Sequence, residues 1–159
     1  MGVTFNADEI FEMAVQLERN GAKFYRTAAE KLPSFRQVLI DLAVMEDEHE
    51  KTFENMREQL SEQGQVVFDP EGEAQMYLDV MAEGQVFDVG AEPAGQFKGE
   101  RTAEDILEMA IGKEKESIAF YAGLKECVRP QAGRDKVEAI IREEFGHIAT
   151  LNEQLSALK

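Results

Sequence analysis

The two halves of this 159-residue sequence repeat one pattern, and the repeat constrains the fold more strongly than any other feature. The tripeptide Glu-Met-Ala occurs at residues 12–14 and again at residues 108–110. A later segment of each half carries the motif Glu-x-x-His, at residues 46–49 and 144–147. An internal duplication predicts pseudo-twofold symmetry, so a site on the symmetry axis would receive equivalent side chains from both halves.

Four segments place apolar residues at alternating spacings of three and four, the pattern of a helix with one face turned toward a core. We expect them to pair into two antiparallel hairpins, over residues 7–64 and 102–158, because the links inside each pair are short. Sequence signals predict three helix starts, namely the capping boxes Asn6/Glu9 and Ser34/Gln37 and the N-cap Thr102.

The segment between the hairpins, residues 65–101, is rich in Gly and acidic residues and is predicted to be a crossover. It is long enough to run back along a helix of about 27 residues, which spans about 40 Å. Asp69-Pro70 is expected to start a short helix within it that reaches Met81. The predicted fold class is all-α, with one domain over residues 1–159 that forms an antiparallel four-helix bundle with one long crossover between the second and third helices.

The composition limits which partners the protein is expected to bind and which cellular compartment we expect it to occupy. The formal charge of -15 at pH 7 argues against binding to nucleic acid or to anionic membranes. A single cysteine, Cys127, excludes an intrachain disulfide and a four-cysteine iron or zinc module within these residues. Because the first ten residues lack a basic start and an apolar run, and no apolar stretch reaches bilayer length, we expect a cytoplasmic protein.

Polar residues interrupt the apolar stripe of each predicted helix at matching positions. Residues three apart on a helix share a face, so each Glu-x-x-His motif can direct a carboxylate and an imidazole at one point. Four carboxylates in an apolar core would each cost several kcal/mol unless they were neutralised, protonated or paired, and no Lys or Arg lies on these stripes near them. Two divalent cations would balance the four charges. The candidate metal ligands are Glu18, Glu46, His49, Glu114, Glu144 and His147.

Carboxylate and imidazole donors without thiolate suit Fe, Mn or Zn, and these residues do not distinguish among the three metals. Tyr25 and Tyr121 each lie two turns beyond a candidate ligand, so each could hydrogen-bond toward the metal layer, or could simply anchor the core. Gly21 and Ser117, one turn after Glu18 and Glu114, would leave space beside the metals or allow close helix packing. Taken singly, each polar residue is also compatible with an ordinary hydrogen-bonded core position.

The order Glu, Glu-x-x-His, Glu, Glu-x-x-His with matching Tyr residues resembles the rubrerythrin branch of the ferritin-like superfamily, over nearly the whole chain apart from the crossover. The resemblance implies a ferritin-like bundle, two iron ions on the six residues, a homodimer or larger assembly, and redox chemistry with peroxide or oxygen, as in defence against oxidative stress. Two features differ from that family. The cysteines of a rubredoxin-like domain are missing, which implies an external electron donor such as a rubredoxin-like protein, and Ser117 stands where rubrerythrins have an additional Glu.

Three functions are therefore compatible with the sequence. The first is a di-iron oxidoreductase that oxidises bound Fe(II) with hydrogen peroxide or oxygen and is re-reduced by an external donor. The second is an iron-handling protein that oxidises, stores or sequesters iron. The third is a helical interaction module in which the metal is structural or absent.

Overall fold

The computed structural model describes residues 6–63, 71–83, 97, 99, 101–128 and 131–159. Within these ranges the chain is helical and forms no strand, which confirms the all-α prediction. The helices are α1 (Ala7–Lys31), α2 (Arg36–Gln63), α3 (Glu73–Glu83), α4 (Ala103–Cys127) and α5 (Gln131–Ala157), with a 3-10 turn at Pro33–Phe35 between α1 and α2.

Two of the three predicted helix starts are confirmed. Asn6 and Glu9 form a capping box at α1, in which each side chain accepts a hydrogen bond from the other residue's backbone N–H at 2.9 Å. Thr102 caps α4 in the same reciprocal way with Asp105. Both arrangements satisfy amide groups that the first turn of a helix leaves without partners.

The predicted capping box of Ser34 with Gln37 is wrong. Proline favours a first-turn position, and here the chain forms the 3-10 turn Pro33–Phe35 before α2 begins at Arg36. Ser34 therefore lies inside the turn, and the Gln37 amide donates to Asp41 within α2. Three other predicted boundaries, at Gly64, Asp69-Pro70 and Pro130, lie outside the described residues.

The bundle is built from two hairpins, α1 with α2 and α4 with α5, whose members pack closely along their lengths. Between the hairpins, α1 faces α4 and α2 faces α5 at wider spacing. Apolar side chains fill the two ends of this space as separate clusters, one including Phe11, Phe53 and Leu124, the other including Phe24 and Leu107. The layer between the two clusters is the level of the candidate ligands.

The short helix predicted in the crossover is present as α3, and it packs against α4. Leu78 is fully buried there, and the Tyr77 hydroxyl donates to the backbone carbonyl of Ala119 at 2.6 Å. Gly123 of α4 lies beneath the Tyr77 ring, since a Cβ at Gly123 would come within 2.5 Å of it. No helix in the described part of the chain has the length and apolarity needed to cross a lipid bilayer.

Candidate metal centre

All six candidate ligands lie in the interior of the bundle. Each is buried, with at most 4% of its surface exposed. Every one of the four long helices supplies at least one of them near its midpoint: Glu18 from α1, Glu46 and His49 from α2, Glu114 from α4, and Glu144 and His147 from α5. The structure thus brings together the whole predicted set, and its role in binding metal stays a prediction.

The six side chains form two overlapping groups of possible metal ligands. One group is Glu18, Glu46, His49 and Glu144, and the other is Glu46, Glu114, Glu144 and His147. In each group the ligand atoms lie within 4.8 Å of one another. Glu46 and Glu144 belong to both groups, so they are placed to bridge two ions, while each ion would also receive its own Glu and its own His.

The atoms that face the centre have the spacing expected of ligands around an ion. His147 Nδ1 lies 3.0 Å from Glu144 Oε2, 3.1 Å from Glu46 Oε1 and 3.3 Å from Glu114 Oε1. His49 Nδ1 lies 3.2 Å from Glu144 Oε1 and 3.5 Å from Glu18 Oε2. Atoms bound about 2.1 Å from one ion, at angles of about 90° to 109°, would be about 3.0 to 3.4 Å apart.

Several of these buried atoms have no hydrogen-bond partner of normal geometry among the described residues. They include Nδ1 of both histidines, Glu18 Oε2, Glu46 Oε1 and both oxygens of Glu144. Buried polar atoms are nearly always hydrogen-bonded, and each exception needs an explanation. A pair of divalent cations would satisfy all of these atoms at once, so the residues present fit the metal pair that the donor set implies.

The carboxylates cannot all be ionised here without compensation. Burial, reinforced by the charges of Glu18, Glu144 and Glu114, raises the pKa of Glu46 well above its usual value. Burial and a contact with Glu144 raise the pKa of Glu114 to about 8. Burial alone would also raise the pKa of Glu144, but contacts with Glu114, His147 and His49 hold it below its usual value. Without metal, the centre therefore retains protons at neutral pH.

The histidines hold some of these protons. Burial by itself would lower the pKa of His49, but contacts with Glu144 and Glu18 outweigh it and raise that pKa to about 11. Contacts with Glu114 and Glu144 likewise outweigh burial and raise the pKa of His147 to about 9. A metal ion that bound at Nδ1 would have to displace these protons, so binding would be coupled to proton release.

The two predicted tyrosines link the hairpins across the α1–α4 interface. The Tyr121 hydroxyl donates to Glu18 Oε1 at 2.5 Å, and the Tyr25 hydroxyl donates to Glu114 Oε1. Burial and the charge of the nearest carboxylate raise both tyrosine pKa values well above 10, so both phenols stay protonated and act as donors. Each tyrosine therefore orients the carboxylate that would bind only one of the two ions.

Gly21 leaves the space that the Glu46 carboxylate occupies. A Cβ at this position would lie 2.6 Å from Glu46 Oε2, closer than real Cβ contacts occur. The structure therefore shows close packing at Gly21, because the Glu46 carboxylate fills the gap against α1, while space beside the metals stays a prediction. Ser117, the counterpart of Gly21 on α4, is half-buried.

One residue beside the candidate ligands, Glu143, could not be recognised from the sequence. Glu143 Oε2 lies 2.5 Å from His49 Nε2, the ring nitrogen that points away from the candidate ligands. The Glu143 side chain is half-exposed, so nothing in its sequence pattern sets it apart from other solvated acidic residues of α5. Only the register between the antiparallel helices α2 and α5 places Glu143 beside the imidazole.

No protein-family model matches this chain, and no curated protein matches it. Among solved structures, a protein from Thermotoga maritima described as a candidate ferritin-like diiron-carboxylate protein superimposes with a TM-score of 0.75. The two chains are 22% identical, and the match covers 100% of each. This similarity shows that the chain has the ferritin-like helical bundle fold, as predicted, and the buried Glu/His cluster lies within that fold.

Proposed function

We propose that this chain is a di-iron oxidoreductase of the rubrerythrin type, which oxidises bound Fe(II) with hydrogen peroxide or oxygen. The observation that carries the proposal is the pair of four-residue ligand groups that share Glu46 and Glu144. The ferritin-like fold and the resemblance of the ligand pattern to rubrerythrins support it. Iron as the metal, and hydrogen peroxide or oxygen as the oxidant, are parts of this proposal.

The side chains would have several tasks at such a centre. The four carboxylates would neutralise the charge of two divalent ions, with Glu18 and His49 available to one ion, Glu114 and His147 to the other, and Glu46 and Glu144 to both. Four protein ligands leave coordination positions free for a small oxidant. The iron pair would supply the two electrons that, with two protons, reduce hydrogen peroxide to water. Tyr25 and Tyr121 hold the terminal carboxylates in orientation and keep their own protons.

The electrons that return the centre to Fe(II) must come from outside these residues. The sequence contains one cysteine, Cys127, and it is buried. A four-cysteine iron site cannot be built from it. The proposal therefore includes an external electron donor such as a rubredoxin-like protein, and it includes assembly into a homodimer or larger oligomer.

One observation favours a second candidate function. Ser117 occupies the position at which rubrerythrins carry an additional Glu, one helical turn after Glu114, and in this structure Ser117 is half-buried. If that Glu is needed for fast peroxide reduction, the chain would act instead as an iron-handling protein that oxidises Fe(II) with oxygen for storage or sequestration. The two functions differ in which oxidant reacts faster and in the fate of the Fe(III).

Anaerobic Fe(II) loading followed by rapid mixing with hydrogen peroxide or with oxygen tests the proposal. We expect two Fe(II) per chain to be oxidised rapidly by at least one oxidant and to stay protein-bound. Glu46→Ala should abolish the fast phase, while Glu153→Ala, at an exposed position of the same bundle, should keep it. Faster reaction with oxygen and a growing mineral product would favour iron handling. Iron that stays reduced with both oxidants would contradict the proposal.

A further inference from the structure

The two histidines of the centre have different surroundings, although the ligands themselves are arranged symmetrically. His49 Nε2 is hydrogen-bonded to Glu143, at 2.5 Å. His147 Nε2 is buried and has no hydrogen-bond partner among the described residues. Both imidazoles direct Nδ1 at the centre. The asymmetry therefore lies outside the ligand set, on the far side of each ring.

The duplication explains where the symmetry is lost. Glu143 directly precedes the bridging Glu144, and Met45 directly precedes the bridging Glu46. Because α2 and α5 are antiparallel and the motifs repeat, Met45 has the same register position relative to His147 that Glu143 has relative to His49. A thioether is only a weak acceptor, so methionine does not replace the carboxylate.

The Glu143 contact affects how His49 can bind a cation. A carboxylate that accepts a hydrogen bond from Nε2–H fixes the tautomer in which Nδ1 has a free lone pair. It also makes the imidazole more basic, so Nδ1 becomes a stronger ligand for a metal ion. Removing such a partner typically weakens metal binding about 10- to 100-fold. Since the Glu143 side chain is 50% exposed, solvent screening places the expected effect toward the lower end of that range.

We infer that the two metal positions are inequivalent, and that Glu143 makes the position of Glu18 and His49 bind its ion first and about tenfold more tightly than the position of Glu114 and His147. The inference rests on the proposed function, because it requires a two-ion centre. Glu143 is a positioning residue that acts through His49. At limiting metal, the chain would hold one ion, on the His49 side.

Titration of the metal-free protein with Co²⁺, followed by visible absorption and calorimetry, tests the inference. Wild type should bind two Co²⁺ per chain in two resolved steps, and His147→Ala should keep the tighter step, whereas His49→Ala should lose it. Glu143→Gln keeps the size of the side chain but removes its charge, so it should weaken the first step about tenfold and leave the second step and the total stoichiometry unchanged. Glu153→Gln removes the same charge at an exposed position of α5 and should change neither step.

A reciprocal variant tests the same geometry in the opposite direction. Met45→Glu places a carboxylate at the register position facing His147, so it should strengthen the second step until the two steps merge. In the Zn²⁺-loaded protein, exchange of the His49 Nε2 proton with solvent should be faster in Glu143→Gln than in wild type.

Two equal steps in wild type, or an unchanged first step in Glu143→Gln, would overturn the inference while leaving the two-ion centre intact. A wild-type chain that binds no Co²⁺ would instead contradict the proposed function.

Discussion

Gly21 is the residue whose replacement tests the packing of the centre most specifically. Gly21→Ala would place a Cβ 2.6 Å from Glu46 Oε2, so the Glu46 carboxylate must move. We expect metal affinity to fall about 10- to 100-fold, by analogy with the loss of other groups that orient a ligand. Gly112→Ala is the matched control, since a Cβ at this helical position meets no atom within 4 Å. Equal affinities in the two variants would show that Glu46 does not need the gap.

The tyrosines allow a second prediction at the scale of single residues. Tyr25→Phe and Tyr121→Phe keep the packing of the ring but remove the hydroxyl that donates to Glu114 or Glu18. A hydrogen bond to a charged group contributes about 1.5 to 3 kcal/mol, so each variant should lower the free energy of unfolding of the metal-loaded protein by about that amount. Urea denaturation measures the change. Tyr77→Phe, which removes a bond to a backbone carbonyl outside the centre, should leave metal affinity unchanged.

At the scale of single residues, the sequence predicted which six polar side chains lie together in the bundle interior, but not all of their surroundings. Glu18 and Glu114 interrupt apolar stripes, and this conflict with an apolar core made them recognisable without a structure. Glu143 carried no such signal, because a half-exposed Glu on a helix satisfies every local rule. Its contact with His49 depends on the register between two helices that are distant in sequence. The periodicity within one helix does not determine that register.

Among the helices, the contact between α3 and α4 can be tested separately from the centre. Gly123→Ala would place a Cβ within 2.5 Å of the Tyr77 ring and 3.1 Å of Leu78, so α3 must shift on α4. We expect faster hydrogen exchange of α3 amides with little change in metal affinity, because the centre lies on the four long helices. Protection of α3 equal to that in wild type would contradict this description of the crossover.

The helices themselves were predictable where local chemistry determines them. Capping at Asn6 and Thr102 follows from side chains within one turn, and both caps are present. Ser34 fits the same sequence pattern for a cap, but it does not cap α2, because Pro33 starts a 3-10 turn ahead of that helix. The docking of α3 through Gly123 could not be predicted, since it depends on a contact between helices with no repeating pattern to mark it.

For the whole molecule, the buried protons predict how stability depends on pH. Without metal, the pKa of His147 is raised to about 9 and that of Glu114 to about 8. Between pH 6.5 and 9 the folded state therefore binds more protons than the unfolded chain, so stability is lost as the pH rises through this window. The lowered pKa of Glu144 acts in the opposite direction, but below pH 4.5 and thus outside the window.

Thermal unfolding of the metal-free protein measures this dependence. The midpoint should fall as the pH is raised from 6.5 to 9, and it should be steadier in metal-loaded protein, in which cations replace the protons. Metal at about 1,000 times its dissociation constant should add about 4.1 kcal/mol to the free energy of unfolding. A midpoint of the metal-free protein that rises across this pH range would contradict the assignment of the protons.

The central claim is that two hairpins enclose a pair of metal ions on six buried side chains. The most direct test is anomalous diffraction at the iron absorption edge, measured on crystals of the protein after anaerobic loading with Fe(II). We predict two anomalous peaks per chain, one among Glu18, Glu46, His49 and Glu144 and one among Glu46, Glu114, Glu144 and His147. The absence of peaks at these positions, or iron bound only at surface carboxylates, would contradict the claim.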